Sequence, residues 1–373
     1  MLVVLVAVGA SVRAPVKDWW LAREACGGEL PGDDLKTVRT DVRLGSEKES
    51  FDGELGSYHC VLTSDLGKVV VAVDTYPAGS ERDEELAFAA RSYAPHAVLP
   101  GGLPGFEDEH SRVLLMPECP RGGKGPSGKP RRLLVGTWAY FAESREEKAA
   151  MLRLAVRMTN VVTGKLGCGG EPLPAPEDGA VPDTGTYVPR AEAKGTACEA
   201  LATTRVPAEG RDGKVRIAVA DGGIVGRCTL HAPGEGSDGA KPGRPLVELT
   251  SWRGDWGTAS RETGSGTDPL SGASSTREPV LTDSLAWAAA TCGGEDVGFA
   301  AHWGEDYSYR KAGKPSTTPT DPPTDPPTDP PTGPPTAAER NERRALLGEY
   351  VTAFAKDQVR RGACTGLRLP THP

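Results

Sequence analysis

Alternation between apolar and polar residues predicts β-strands in both halves of the chain. In the first half, valines recur at every second position within 68–76, and the stretch 133–141 is rich in residues that favour strands. A short apolar run over 112–116 predicts a further buried strand, and apolar residues alternate again over 215–219. Loops rather than crossover helices separate these segments, which favours an antiparallel sheet.

Each half ends in a predicted helix that begins with a capping box. Ser144 and Glu147 have the S-x-x-E spacing, and Thr336 and Glu339 repeat the arrangement with threonine. Apolar residues then recur at helical spacing, at Leu152, Ala155, Val156, Thr159 and Val162 and at Leu347, Val351, Phe354 and Ala355. A short first helix is predicted over 30–38. The pattern therefore predicts that each half forms an α+β domain of three to five strands, with a long C-terminal helix on one face of an antiparallel sheet.

The eight cysteines form two sets of four: Cys26, Cys60, Cys119 and Cys168, then Cys198, Cys228, Cys292 and Cys364. None has the C-x-x-C spacing that is typical of zinc and thioredoxin-type sites. An even number of widely spaced cysteines favours disulfides in an oxidising compartment. Four cysteines allow three connectivities, and the sequence does not choose among them. We predict first-with-second and third-with-fourth pairing in each set, which would fasten the final helix to its sheet.

The cysteine spacing predicts an internal duplication. The gaps are 34, 59 and 49 residues in the first set and 30, 64 and 72 in the second. Removing the 23-residue Pro/Thr/Asp-rich segment 315–337 from the last gap leaves 49. Both final cysteines continue as C-x-G-x-x-L-P, from Cys168 and from Cys364. The sequence thus predicts two tandem homologous domains.

Four segments follow from this duplication. Residues 1–21 form a membrane anchor or signal segment, 22–174 the first repeat, 175–193 a Pro-rich linker and 194–370 the second repeat. The segment 315–337 is then a loop insertion within the second repeat, and its composition favours extended polyproline II.

The N-terminal segment favours export. Residues 2–12 are almost wholly apolar, but this run is shorter than the ~20 residues that a spanning helix needs. It also lacks the basic start of a signal peptide. One interpretation is a single-pass anchor that begins upstream, with Trp19 and Trp20 at the outer interface, where indoles are favoured. A cleaved signal peptide and a buried N-terminal strand are the alternatives.

Composition and charge limit the classes of function. Gly and Pro number 47 and 33, so loops occupy much of the chain, while a hydrophobic fraction of 38% is compatible with a folded core. The net charge of −8 argues against a nucleic-acid-binding protein and against a general affinity for anionic membranes.

No catalytic, metal-binding or cofactor-binding signature emerges. The loop 123–129 matches G-x-G-x-x-G and approaches a P-loop, but Pro130 replaces the magnesium-binding hydroxyl residue and a strand-like stretch follows. The basic loop 121–132 and the run from Glu107 to His110 are interpreted as solvated loops, and His59 as a strand residue. We therefore predict no cofactor, no metal and no catalytic residue.

The order of cysteines, strand pairs and long helices resembles actinobacterial exported proteins of unknown function. It looks like cysteine-bearing lipoprotein families with PsbP-like α+β domains, although this chain lacks a lipobox. The resemblance supplies no catalytic residue. The combined prediction is a single-pass membrane protein, or alternatively a secreted one, that binds or scaffolds an unknown protein or cell-envelope partner and no nucleic acid. Two alternatives are an extracytoplasmic hydrolase or wall-modifying enzyme with a site between the repeats, and a purely structural surface protein.

Overall fold

The computed structural model describes residues 16–39, 41–77, 97–108, 111–124, 128–140, 142–219, 223–234, 242–254, 278–304 and 336–371. The chain divides into two compact units. The first contains Met1–Thr184 and Ala220–Ile224, and the second contains Gly185–Val219 and Val225–Pro373. Both are mixed α+β structures, and every pairing between the described strands is antiparallel.

The first unit begins with two short helices, α1 (residues 16–24) and α2 (Gly32–Arg39). Its strands are β1 (Leu44–Phe51), β2 (Tyr58–Ser64), β3 (Val69–Tyr76), β4 (Ala97–Val98), β5 (Gly105–Glu107), β6 (Val113–Leu115), β7 (Glu118–Lys124), β8 (Pro130–Arg132) and β9 (Leu134–Trp138). The long helix α3 (Arg145–Lys165) follows. The sheet order is β1-β2-β3-β9-β6-β5-β4, and β7 and β8 form a separate hairpin.

Helix α3 packs on β6 and β9, and α2 packs on α3. The predicted capping box is present: the Glu147 N–H donates to Ser144 Oγ at 3.2 Å, and the Ser144 N–H donates to Glu147 Oε2 at 2.7 Å. The apolar face of α3 packs against the helix-facing residues of β2, β3 and β9. Leu152 of α3, Leu62 of β2 and Val73 of β3 belong to this core. The core therefore lies on the helix side of the sheet.

The second unit contains β10 (Thr186–Pro189), α4 (Glu199–Thr203), β11 (Lys214–Ala218), β12 (Val225–His231), β13 (Pro245–Arg253), β14 (Val280–Leu281), β15 (Leu285–Cys292), β16 (Glu295–Trp303), α5 (Ala337–Arg361) and β17 (Thr365–Arg368). The sheet order is β10-β11-β12-β13-β16-β15-β14, and β17 also pairs with β15. Helix α5 packs mainly on β15 and β16, where the rings of Phe299 and Phe354 meet edge to face at 6.1 Å. The predicted capping box of Thr336 and Glu339 begins α5.

The segment 175–193, predicted as a linker, is partly built into the second unit. Strand β10 pairs with β11, and the 3-10 turn Arg190–Ala193 follows it, with Ala193 buried. The guanidinium of Arg190 donates to the carbonyl oxygens of Leu201, Ala202 and Thr204 at 2.8–3.1 Å. The β-forming residues of β10 thus outweigh the Pro-rich composition of the segment.

Two predicted features fall largely beyond the described chain. Residues 1–15 of the predicted anchor lie outside it, and so does the Pro/Thr/Asp-rich segment up to residue 335. Among the helices that the structure describes, none has the length and apolarity needed to cross a membrane.

Gly298 on β16 is required by the indole of Trp287 on the neighbouring strand β15. A Cβ at position 298 would lie 2.0 Å from Cζ2 of Trp287, well inside van der Waals contact.

We expect Gly298→Ala to lower the free energy of unfolding of the second unit by about 1–3 kcal/mol, as overpacking does in other cores. Denaturant unfolding would measure this. Gly164→Ala on α3 is the matched control, because nothing lies within 4 Å of that Cβ and helix propensity favours alanine. Equal stability of G298A and wild type would contradict the expectation.

Candidate functional site

The cysteines, the only site residues predicted from the sequence, form four disulfides. The bonds are Cys26–Cys60, Cys119–Cys168, Cys198–Cys228 and Cys292–Cys364, the pairs expected from the sequence. No cysteine is free. Two bonds lie within each unit and none joins the units. Disulfides of this number are typical of proteins that fold in an oxidising environment, so the chain belongs to an extracytoplasmic compartment.

The disulfides fasten helical segments to strands. Cys26 lies in the 3-10 turn after α1 and bonds to β2, while Cys198 caps α4 and bonds to β12. Cys168 and Cys364 lie just after α3 and α5, and they bond to β7 and to the end of β15. Each long helix is therefore held at its C-terminal end by a covalent bond.

The second sheet carries an unexpected polar face opposite α5. We use "polar face" for the side chains of Arg216, Arg227, Thr229, His231, Glu248, Thr250 and His302. Arg216, Thr229, Glu248 and His302 are opposite one another across β11, β12, β13 and β16, so they share one side of the sheet. Neighbouring positions such as Val215 and Leu249 lie in the core on the other side.

Glu248 is the centre of the polar face. Its side chain is 1% exposed and forms an ion pair with Arg227, whose side chain is 3% exposed. His302 Nε2 lies 3.6 Å from Glu248 Oε2, and this imidazole is partly exposed. The guanidinium groups of Arg216 and Arg227 thus share this side of the sheet with the Glu248 carboxylate, and all three side chains are buried.

The pKa of both histidines of the polar face is lowered, which favours the neutral imidazole. Burial lowers the pKa of His231 and of His302 below the usual value, and the positive charge of Arg227 acts in the same direction on each. Glu248 opposes this effect without overcoming it. The Nδ1 of His231 lies 2.9 Å from the Gly243 carbonyl oxygen, and its ring meets Tyr187 edge to face at 5.2 Å.

The lowered pKa of these histidines predicts a pH dependence of stability. In the unfolded chain they bind protons as the pH falls through about 6.5, whereas in the folded chain they stay neutral to lower pH. Their contribution to stability is thus complete above that pH and is lost below it. We expect the urea midpoint of the second unit to fall between pH 7.5 and pH 5.5, and to fall less in a variant with His231→Gln and His302→Gln. An equal fall in both proteins would contradict this origin.

The first unit carries a hydrogen-bonded pair, His59 and Asp74, on the side of its sheet that faces away from α3. His59 Nδ1 and Asp74 Oδ1 interact directly across β2 and β3, and both side chains are about one-third to two-fifths exposed, at 41% and 35%. His59, predicted to be a strand residue, lies in β2.

The interpretation of the run from Glu107 to His110 as a solvated loop is wrong for its first two residues, because Glu107 ends β5 and both Glu107 and Asp108 are buried. Asp108 is buried and accepts hydrogen bonds from the backbone and side chain of Arg112 at 3.0 and 3.1 Å, while Glu109 and His110 lie outside the described residues. Burial raises the pKa of Glu107. The basic loop 121–132 is largely the β7–β8 hairpin, with residues 125–127 not described. Within the described ranges, no three His, Cys, Asp or Glu side chains converge to hold a metal ion.

Sequence reasoning missed the polar face. The alternation over 215–219 places the side chain of Arg216 on the side of the strand away from its apolar neighbours. A charged residue on that side is usually exposed to solvent, yet Arg216 is only 3% exposed. The available signal was the recurrence of polar residues at every second position in otherwise apolar strands, as at Arg227, Thr229 and His231 on β12.

Comparisons with protein-family models, with curated proteins and with solved structures find no match to this chain. The resemblance to actinobacterial exported proteins therefore stays a prediction.

Proposed function

We propose that this chain is a membrane-anchored extracytoplasmic protein that acts as a binding or scaffolding module, built from two homologous domains. The observation that carries the proposal is the arrangement of the four disulfides, two in each unit and none between them. Such bonds stabilise a small domain outside the reducing cytoplasm. They fasten a scaffold that presents its surfaces to a cell-envelope partner.

The order of strands supports an origin by duplication. In each unit three successive strands form one side of the sheet, β1-β2-β3 in the first and β11-β12-β13 in the second. The third of these pairs with the last strand before the long helix, β9 or β16, and the next neighbours are β6 and β15. Helices α3 and α5 pack on these corresponding strands. A shared order of this kind agrees with the matched cysteine spacing.

The His59–Asp74 and Arg227–Glu248 pairs supply a further correspondence between the units. His59 immediately precedes Cys60 on β2, as Arg227 precedes Cys228 on β12. Each has its carboxylate partner on the next strand of the sheet, Asp74 on β3 and Glu248 on β13. Both pairs lie on the side of the sheet that faces away from the long helix.

The N-terminal sequence supports attachment to a membrane. The apolar run over 2–12 precedes α1, and the indoles of Trp19 and Trp20 on that helix are more than half exposed, at 61% and 52%. Tryptophan at such a position favours the interface between lipid and water.

Fractionation of the native host tests the location. We expect the protein to remain in the membrane pellet after carbonate extraction and to be digested by protease added to intact protoplasts. Treatment of the protoplasts with a membrane-impermeant thiol reagent should label it only after reduction. Labelling without reduction, or protection from protease in intact protoplasts, would contradict the proposed compartment. Release by carbonate would contradict the anchor alone.

A further inference from the structure

A groove lies between α1 and α2 in the first unit. Its volume is about 520 Å³, and its lining includes Trp19, Leu30, Leu35 and three cationic side chains, Arg23, Lys36 and Arg39. The groove thus combines an apolar wall with a cluster of positive charge. The 3-10 turn Ala25–Gly28 leads from α1 towards α2, and its Cys26 is bonded to Cys60 on β2.

The positive charge of the groove is only partly neutralised by its own lining. Among the described residues that line the groove, Asp18 is the one carboxylate, and its Oδ1 accepts a hydrogen bond from the Leu44 N–H at 3.2 Å. Nη1 of Arg39 is buried and has no hydrogen-bond partner in the described structure. A buried guanidinium N–H without a partner is costly, and an anionic oxygen would satisfy it.

The outer face of α1 is apolar next to this charge. Val16, Trp19, Trp20 and Arg23 follow the i, i+3, i+4, i+7 spacing of one helix face, whereas Leu21 points into the core. Val16, Trp19 and Trp20 are 57%, 61% and 52% exposed. The guanidinium of Arg23 lies over the Trp19 ring, 5.3 Å from its centroid. Exposed indoles beside cationic side chains match the chemistry of a lipid headgroup region.

We propose that the α1–α2 groove binds the phosphate-bearing headgroup of an anionic phospholipid, while Trp19 and Trp20 enter the interface beside it. The phosphate oxygens would accept hydrogen bonds from Arg39, Arg23 and Lys36, and the glycerol and upper acyl carbons would pack on the indoles. The groove would thereby fix the orientation of the first unit on the membrane. This inference rests on the proposed membrane location, and it concerns one local surface in a chain whose net charge is negative.

Vesicle flotation of the full chain tests the inference. Two lipid compositions are compared: phosphatidylcholine alone, and phosphatidylcholine with one-third phosphatidylglycerol. We expect at least tenfold tighter binding to the second, because each cation near an anionic surface contributes about fivefold. The double variant R23Q/K36Q should lose most of that preference and keep its binding to phosphatidylcholine. The control variant K194Q/R211Q/K356Q removes three exposed cations of the second unit and should retain the preference.

The outcomes separate this inference from the proposed anchor. Equal binding of the wild type to both compositions would overturn the headgroup site and leave the anchor in place. Failure to bind either composition would contradict both. Release of bound protein by inorganic phosphate, but not by equal ionic strength of chloride, would assign the groove to free phosphate and overturn the lipid assignment. Thermal unfolding of R23Q/K36Q shows whether this variant is folded. The second variant, W19A/W20A, should weaken binding to both lipid compositions.

Discussion

Replacing Glu248 with alanine should lower the free energy of unfolding of the second unit by about 3–5 kcal/mol. The carboxylate is almost wholly buried, and its loss breaks the buried ion pair with Arg227. Breaking a buried pair by removing one partner costs more than the modest net gain of forming the pair. Urea unfolding at pH 7.5, followed by a signal specific to the second unit such as hydrogen exchange in β12 and β13, measures the change.

The double variant Arg227→Met with Glu248→Leu separates the cost of a broken pair from the value of the pair itself. We expect it to be much closer to the wild type than E248A, because removing both charges removes the need to solvate them. If E248A unfolds at the same urea concentration as the wild type, the pair is solvated in solution and the polar face is open to water. If the double variant is the least stable protein of the set, the pair itself is strongly stabilising.

Removing the Cys292–Cys364 disulfide by Cys→Ala substitution at both positions should destabilise the second unit by about 4 kcal/mol in the chain-entropy model. The bond closes a separation of 72 residues and holds the end of α5 to β15. The same substitution at Cys198 and Cys228, which are separated by 30 residues, is the matched control within the unit. It should cost about 0.8 kcal/mol less, because the loop is shorter.

Denaturant unfolding of both variants under non-reducing conditions provides the measurement. A loss below 1 kcal/mol in the C292A/C364A variant would contradict the claim that this bond stabilises the unit. A larger loss in C198A/C228A would show that local strain or packing, rather than loop closure, governs the contribution of these bonds.

The two long helices could be predicted because their signals are local. The capping boxes at Ser144 and Thr336 are read from four consecutive residues, and the helices begin there in the structure. The short helix predicted over 30–38 occupies Gly32–Arg39, and the strand predicted over 68–76 occupies Val69–Tyr76. Strands such as β4 and β14 contain two residues each, too few for any periodicity.

The order of the sheets and the polar face could not be predicted from local pattern. Strand β3 pairs with β9 across a separation of about 60 residues, and β6 is inserted beside β9 rather than beside β3. Such pairings depend on which apolar faces pack together. Whether the outward side of a strand is exposed depends on what covers it, so Arg216 and Glu248 look like surface residues in the sequence although both are buried.

Non-reducing peptide mapping of the protein from the membrane fraction of its native host tests the central claim most directly. We expect four disulfide-linked peptide pairs, Cys26–Cys60, Cys119–Cys168, Cys198–Cys228 and Cys292–Cys364, and no pair that joins the two units. That result would establish both the extracytoplasmic location and the presence of two separate disulfides within each unit. Eight free thiols, or bonds that join a cysteine of one unit to a cysteine of the other, would contradict it.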